Sequence, residues 1–182
     1  MLSSEAIANP PPFDRLRAAV IHDGAARKLV HQLKYQDRMD LAHTMATWMM
    51  RASDGEVEKC DCILPVPLHR MRFLSRRFNQ SAELARHLCK LSGKPFLSSS
   101  VVRTKQTKRQ VGLSARSRQD NMRGAFAFVP GRELDVAGKR VVLVDDVYTT
   151  GATVSTVSRL LKKGGAADVT VLTFAMAISG PI

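Results

Sequence analysis

The run Arg140-Val141-Val142-Leu143-Val144 ends in two adjacent acids, Asp145-Asp146, and passes through Val147-Tyr148 into Thr149-Thr150-Gly151-Ala152-Thr153. Four apolar, mostly β-branched residues without polar alternation suit a central strand covered on both faces. From Thr153 to Lys163 the residues Val154, Val157, Leu160 and Leu161 recur at helical spacing, and Gly164-Gly165 stops the helix where a positive φ costs little. Val169 to Ala175 supplies the next strand. A strand, helix, strand unit of this kind predicts a parallel pair, with two carboxylates at the carboxyl end of its first strand. Open α/β sheets bind ligands at that end.

The rest of the chain repeats the alternation. Leu29, Val30 and Leu33, then Leu41, Met45, Trp48 and Met49, recur at spacings of three and four, predicting helices over 25–33 and 41–51 with Trp48 in the core. Cys62 to Val66 is a short apolar run cut by Pro65 and Pro67, which reads as a buried strand ending in a loop, and a helix follows from Asn79 to Leu91 with Leu84, Ala85, Leu88 and Leu91 inward. Val101-Val102 and Phe126 to Val129 read as strands flanking a polar connection from Thr104 to Arg123. The expected architecture is one α/β domain, a mostly parallel central sheet with helices on both faces, over residues 25–182. Residues 1–24 are expected to form an extended leader, since Pro10, Pro11 and Pro12 each fix φ and bias the preceding residue away from helix.

The turn after Asp146 has the composition of a phosphate cup. Backbone N–H groups at a helix start lack intrahelical partners, and with hydroxyls from Thr149, Thr150 and Thr153 they can ring a dianion, while Gly151 and Ala152 let the backbone approach. Carboxylates beside such a cup repel the ligand unless they accept hydrogen bonds from sugar hydroxyls, directly or through magnesium, which prefers oxygen ligands and keeps waters. An apolar strand ending Asp-Asp also occurs in ATPases, but no glycine-rich loop ending Gly-Lys-Ser/Thr accompanies it here. A plain strand-to-helix turn with a threonine cap and solvated aspartates is the bland alternative.

The stretch from Val141 to Thr153 resembles the signature by which type I phosphoribosyltransferases bind 5-phosphoribosyl-1-pyrophosphate (PRPP). The resemblance implies that fold, with Asp145 and Asp146 on the ribose hydroxyls, Thr149, Thr150, Gly151, Ala152 and Thr153 around the 5-phosphate, and Mg2+ arriving with PRPP. Within that superfamily most of the chain is similar to the ComF competence proteins. Pro65-Val66-Pro67-Leu68-His69-Arg70, followed by Arg76-Arg77-Phe78-Asn79-Gln80, resembles their pyrophosphate-loop region, giving Pro67, Leu68, His69 and Arg70 that role. Arg103, Lys105, Gln110, Arg116 and Arg118, with Asn121 and Gly124-Ala125-Phe126, follow their flexible loop, and Asp14-Arg15 and Leu33-Lys34-Tyr35 their early segment. ComF proteins usually open with a cysteine-rich zinc ribbon that has no counterpart in this sequence, whether lost or preceding the chain's start. Taken without the resemblance, His69 reads equally as a surface histidine, and the loop that follows Arg103 equally as solvated chain.

Charge and cysteines narrow the partners. The chain carries +12, and the stretch from Arg70 to Arg123 holds 14 Lys/Arg against Glu83 and Asp120, while the remainder has 14 basic and 14 acidic residues. So local a field predicts a polyanionic partner, either nucleic acid or a pyrophosphate-bearing small molecule, which with the resemblance implies PRPP or another sugar phosphate, or single-stranded DNA. The only aromatics in that stretch are Phe73, Phe78 and Phe96, which favours phosphate binding over base stacking. From Arg103 to Arg118 there are six basic residues and no acid, enough to close over a pyrophosphate and exclude water. Cys60, Cys62 and Cys89 are an odd number without a second close pair, so neither a disulfide framework nor a four-ligand zinc site is expected. No apolar run reaches the ~20 residues of a membrane span and Met1–Pro12 lacks a signal pattern, so a cytoplasmic location is expected. The resemblance implies two functions: phosphoribosyl transfer from Mg-PRPP to an acceptor the sequence does not name, or, as in ComF proteins, a module of DNA uptake and transformation that binds single-stranded DNA or competence proteins. A PRPP-sensing regulator is a third.

Overall fold

The computed structural model describes residues 10–35, 40–68, 79–104 and 124–178. Its elements are β1 (Arg15–Ile21), α1 (Gly24–Tyr35), α2 (Asp40–Ala52), the single turn α3 (Glu56–Lys59), β2 (Cys62–Pro65), α4 (Gln80–Ser92), β3 (Val101–Arg103), β4 (Phe126–Phe128), a 3-10 turn (Arg132–Asp135), β5 (Arg140–Tyr148), α5 (Ala152–Lys163) and β6 (Asp168–Met176). The strands β1, β6, β5 and β2 lie side by side in that order, all parallel, and β3 pairs antiparallel with β4.

β5 is the keel of the sheet. Val141, Val142, Leu143 and Val144 are at most 1% exposed. Val142 and Val144 face α1, α2 and α4, among Leu33, Met45, Met49, Leu84, Leu88 and Phe174. Val141 and Leu143 face the other way, among Val101, Phe126, Val154, Val157 and Leu161. Burial on both faces removes the polar half of the usual period-two pattern, which is why this strand reads as an unbroken apolar run. At about 1.5–3 kcal/mol per buried side chain, these four contribute roughly 6–12 kcal/mol before conformational entropy is subtracted.

Polar pins fix the amino ends of the strands. Arg15 donates from Nη1 to both carboxylate oxygens of Asp168, at 2.8 and 2.7 Å, and lies 3.5 Å from the buried Glu56. Asp61 accepts the Arg140 N–H at 2.8 Å, tying the start of β2 to that of β5. Asp14 accepts the Val169 N–H at 2.7 Å and pairs with Lys162 at 2.6 Å, tying β1 to β6 and to the last turn of α5.

β1 departs from the expected leader. Residues 15–21 pair with β6, so the domain's ordered sheet starts well before residue 25. The prolines made this stretch read as extended, and extended it is, but as an edge strand in which Arg15 and Arg17 alternate with Leu16 and Ala18. Trp48 is a second correction: it is 42% exposed and lays one face on buried Phe174, with ring centroids 6.1 Å apart. Leu91, on the final turn of α4, is also 42% exposed, at the margin of the helix's buried face.

Cys60 and Cys62 bury their thiols on opposite sides of the sheet, because Cys60 precedes the strand and escapes its same-face period. Burial pushes all three thiols up to about 11. Such thiols stay protonated near neutrality. A thiol-reactive disulfide reagent is therefore expected to modify the native protein slowly and to titrate three thiols promptly once it is unfolded; prompt native modification would contradict the packing.

Burial raises the Asp14 carboxyl, but the hydrogen bonds from Lys162 and the Val169 N–H and the charges of Lys162 and Arg15 outweigh it, so the group sits below its ordinary value of 3.8. A lowered folded-state value stabilises the fold above the unfolded-state value, and the stabilisation fades as pH falls through the folded one. Asp14→Asn should therefore destabilise near pH 6, with the difference from the native chain narrowing as pH falls below the ordinary carboxylate value. Urea melts of both proteins across that range measure it.

Candidate functional site

Neighbouring strands β2 and β5 send their following helices to opposite faces: α4 packs over Val142 and Val144, and α5 over Val141 and Leu143. Chains leaving in opposite directions open a crevice beyond the carboxyl ends of the two strands, the topological switch point of an open α/β sheet. β2 stops pairing at Pro65, opposite Val144, and the chain then gives one further bond, Val66 N–H to Val144 C=O at 2.9 Å. β5 runs on alone on that side. Asp145 and Asp146 thus lie within the strand rather than in a turn after it, and β5 continues to Tyr148 through its pairing with β6.

Asp145 is half-buried and sits opposite Thr173 of β6. Its Oδ1 accepts the Ser81 hydroxyl at 2.8 Å and the Asp146 N–H at 2.9 Å. Ser81 stands in the first turn of α4, whose cap is Asn79. The Asn79 side chain accepts the Ser81 N–H at 3.1 Å and donates from Nδ2 to the Val66 carbonyl at 3.0 Å. The end of β2, the start of α4 and the acid of β5 are thereby joined by three side chains. Asp146 is 9% exposed.

Past Tyr148 the backbone turns through Thr149 and Thr150, both exposed, and reaches Gly151 at φ +72°. Two constraints hold glycine there. The left-handed φ disfavours any Cβ, and a Cβ would also lie 2.5 Å from the Tyr148 hydroxyl oxygen and 2.8 Å from Cζ. Gly151 caps α5 without a side-chain hydrogen bond, and the helix ladder opens with Ser155 N–H to the Gly151 carbonyl at 2.8 Å. The amides of Ala152, Thr153 and Val154 precede that ladder and carry the positive end of the helix dipole. Asp145 and residues 147–154 line a small cavity open to solvent. An anion ringed by amides and threonine hydroxyls, with a carboxylate at one side, is what such a lining can accommodate.

The expected residues therefore divide. Asp145, Thr149, Thr150, Gly151, Ala152 and Thr153 come together on one cavity, and Asp146 adjoins it without lining it. Pro67 and Leu68 are half-buried beyond β2, whereas His69 and Arg70 lie outside the described residues. Arg103 ends β3 with its guanidinium 5.3 Å over the Phe126 ring and is not part of the cavity wall; Lys105, Gln110, Arg116 and Arg118 lie outside the described residues. Sequence reasoning missed Ser81 and Tyr148. The only local signal for Ser81 was the Asn79 cap before it, and nothing in a linear pattern joins it to an acid 64 positions away.

Comparison with known proteins identifies the family. The model described as phosphoribosyl transferase domain matches residues 81–181, from the first turn of α4 past the end of β6. The DNA utilization protein YhgH of Salmonella typhimurium is 38% identical over 171 residues, covering 91% of this chain and 73% of that protein. Competence protein F of Haemophilus influenzae is 33% identical over 148 residues, 79% of this chain and 64% of that protein. Among solved structures, the glutamine phosphoribosylpyrophosphate amidotransferase of B. subtilis is similar at 22% identity and a TM-score of 0.49, over 71% of this chain and 25% of that one. The α/β chain belongs to the phosphoribosyl transferase domain family and, within it, to the ComF group of competence and DNA utilization proteins.

Proposed function

We propose that this protein binds PRPP with magnesium and transfers its phosphoribosyl group to a nucleophilic acceptor. The observation that carries the reading is the single cavity formed by Asp145, the turn 149–151 and the uncapped start of α5. On this reading the amides of Ala152, Thr153 and Val154 and the hydroxyls of Thr149, Thr150 and Thr153 hold the 5-phosphate. Asp145 and Asp146 accept hydrogen bonds from the ribose hydroxyls, turning the sugar so that C1 faces the crevice between β2 and β5. Their adjacent carboxylates are hard oxygen donors of the kind magnesium takes, and the ion would be completed by ligand oxygens and water. Bound there, magnesium would neutralise charge on the departing pyrophosphate. As pyrophosphate leaves, C1 acquires oxocarbenium character, which fixed carboxylates nearby stabilise. The chain's contribution is placement and field, so no side chain is assigned as nucleophile or general base.

Calorimetric titration with Mg-PRPP tests the site. Asp145→Asn combined with Asp146→Asn should weaken binding by about 3–6 kcal/mol, two to four decades, at ~1.5–3 kcal/mol for each hydrogen bond to a charged group. Equal affinity in the native and substituted proteins would refute the assignment.

A second reading makes the fold a module of DNA uptake. Its support is the concentration of +12 between Arg70 and Arg123, together with relatives named for competence and DNA utilization. On that reading a single-stranded oligonucleotide is retained near 50 mM salt and released steeply toward about 200 mM, because bound phosphates release counterions. Replacing Lys105, Lys108 and Arg109 with alanine should flatten the logarithmic salt slope by about 2, from ~0.7 per phosphate contact. An oligonucleotide that fails to bind even at low salt removes this reading.

A further inference from the structure

Ser81 lies 5% exposed at the start of α4, and its hydroxyl is committed to Asp145 at 2.8 Å across the gap left where β2 stops pairing. A buried serine in a first helical turn ordinarily serves its own helix, by capping or by bonding back to a carbonyl one turn earlier. Here Asn79 already performs the cap, taking the Ser81 N–H, and the Ser81 hydroxyl reaches another element instead. The acceptor oxygen, Asp145 Oδ1, also takes the Asp146 N–H, so two donors from different elements converge on one atom. Two fixed donors hold the carboxylate in one rotamer. We infer that Ser81 is a positioning residue for the sugar-facing acid, the link through which the end of β2 and the start of α4 set the readiness of Asp145 to grip a ribose hydroxyl. The inference rests on the proposed function for its ligand, though not for its geometry.

The hydroxyl has no contact with the ligand on this account and works wholly through Asp145. Asn79 supplies the other half of the device, because its Nδ2 donates to the Val66 carbonyl at 3.0 Å and so holds the helix start against the strand end. Displacement of Val66 or Asn79 would pull on α4's first turn and hence on the donor to Asp145. The join between strand and helix and the orientation of the acid are in this way mechanically coupled.

The test uses the full chain in native, Ser81→Ala, Ser81→Thr and Asp145→Asn forms, and Ser81→Ala combined with Asp145→Asn. Two measurements are made: calorimetric titration with Mg-PRPP, and the Asp145 χ1 rotamer from three-bond couplings to its side-chain carboxyl carbon at fixed pH without ligand. Ser81→Ala should weaken Mg-PRPP binding about 5- to 30-fold, Ser81→Thr should recover most of that loss, and Ser81→Ala should add nothing once Asp145 is asparagine. Without ligand, Asp145 should hold one χ1 rotamer in the native chain and in Ser81→Thr and average over rotamers in Ser81→Ala, since one of its two fixed donors is gone. Should the native protein fail to bind Mg-PRPP, the proposed function falls, and the ligand-free rotamer measurement alone decides the positioning role. A single unchanged rotamer in Ser81→Ala, or an equal loss of affinity with and without Asp145, overturns the inference.

Discussion

The hydrogen-bonded ladder on either side of β5 is the constraint on which the rest of this protein depends. Val141 to Val144 are paired with β2 on one side and β6 on the other, and their side chains fill the cores on both faces. Nothing about that segment can shift by one residue without exchanging the two cores. One residue further on, the support becomes one-sided: β2 has ended, β6 continues, and Asp145 opens onto the gap. A rigid strand beneath an acid that lines a cavity is the condition for a well-aimed carboxylate.

The polar chemistry of the domain is segregated along the strands. At their amino ends charges are matched to one another, as in Arg15 with Asp168 and Glu56, and Lys162 with Asp14, and there they tie elements together. At the carboxyl end of β5 the donors of α5's first turn and the hydroxyls of Thr149 and Thr150 face a cavity. The same residue types thus do opposite work at the two ends of one sheet. What separates the ends is that charged side chains at the amino ends are spent on one another, whereas the amides of α5's first turn line a cavity.

Much of this could be read from the chain itself, for a physical reason: β5, α5 and β6 are consecutive, so a local pattern encodes strand, turn and helix together with the cavity they form. The continuous apolar run announced a strand buried twice over, while the glycine in Thr149-Thr150-Gly151 was legible as a place for close backbone approach and its left-handed φ of +72° was not. Long-range relations were less legible. The edge strand β1 carries charge on alternate positions and follows three prolines, so local signals favoured a leader, and only pairing with β6, near the opposite end of the chain, makes it part of the sheet. Trp48 fits the helical period and still emerges at the surface, since a period identifies a face and not how far the face is covered. The contact between Ser81 and Asp145 belongs to tertiary geometry alone.

The borders of the sheet have a consequence for how copies of this protein meet. A parallel sheet open at both sides presents unpaired backbone groups that invite strand addition from a neighbour. β1, on one border, bears Arg15 and Arg17, the latter 3.4 Å from Asp54. On the other border, the chain around Phe96 lies beside β2, with Ile63 N–H bonded to the Pro95 carbonyl and Leu97 N–H to the Ile63 carbonyl, both at 2.9 Å. One border bears two arginines and the other is occupied by a strap that contains proline, two different features that discourage strand addition to the sheet.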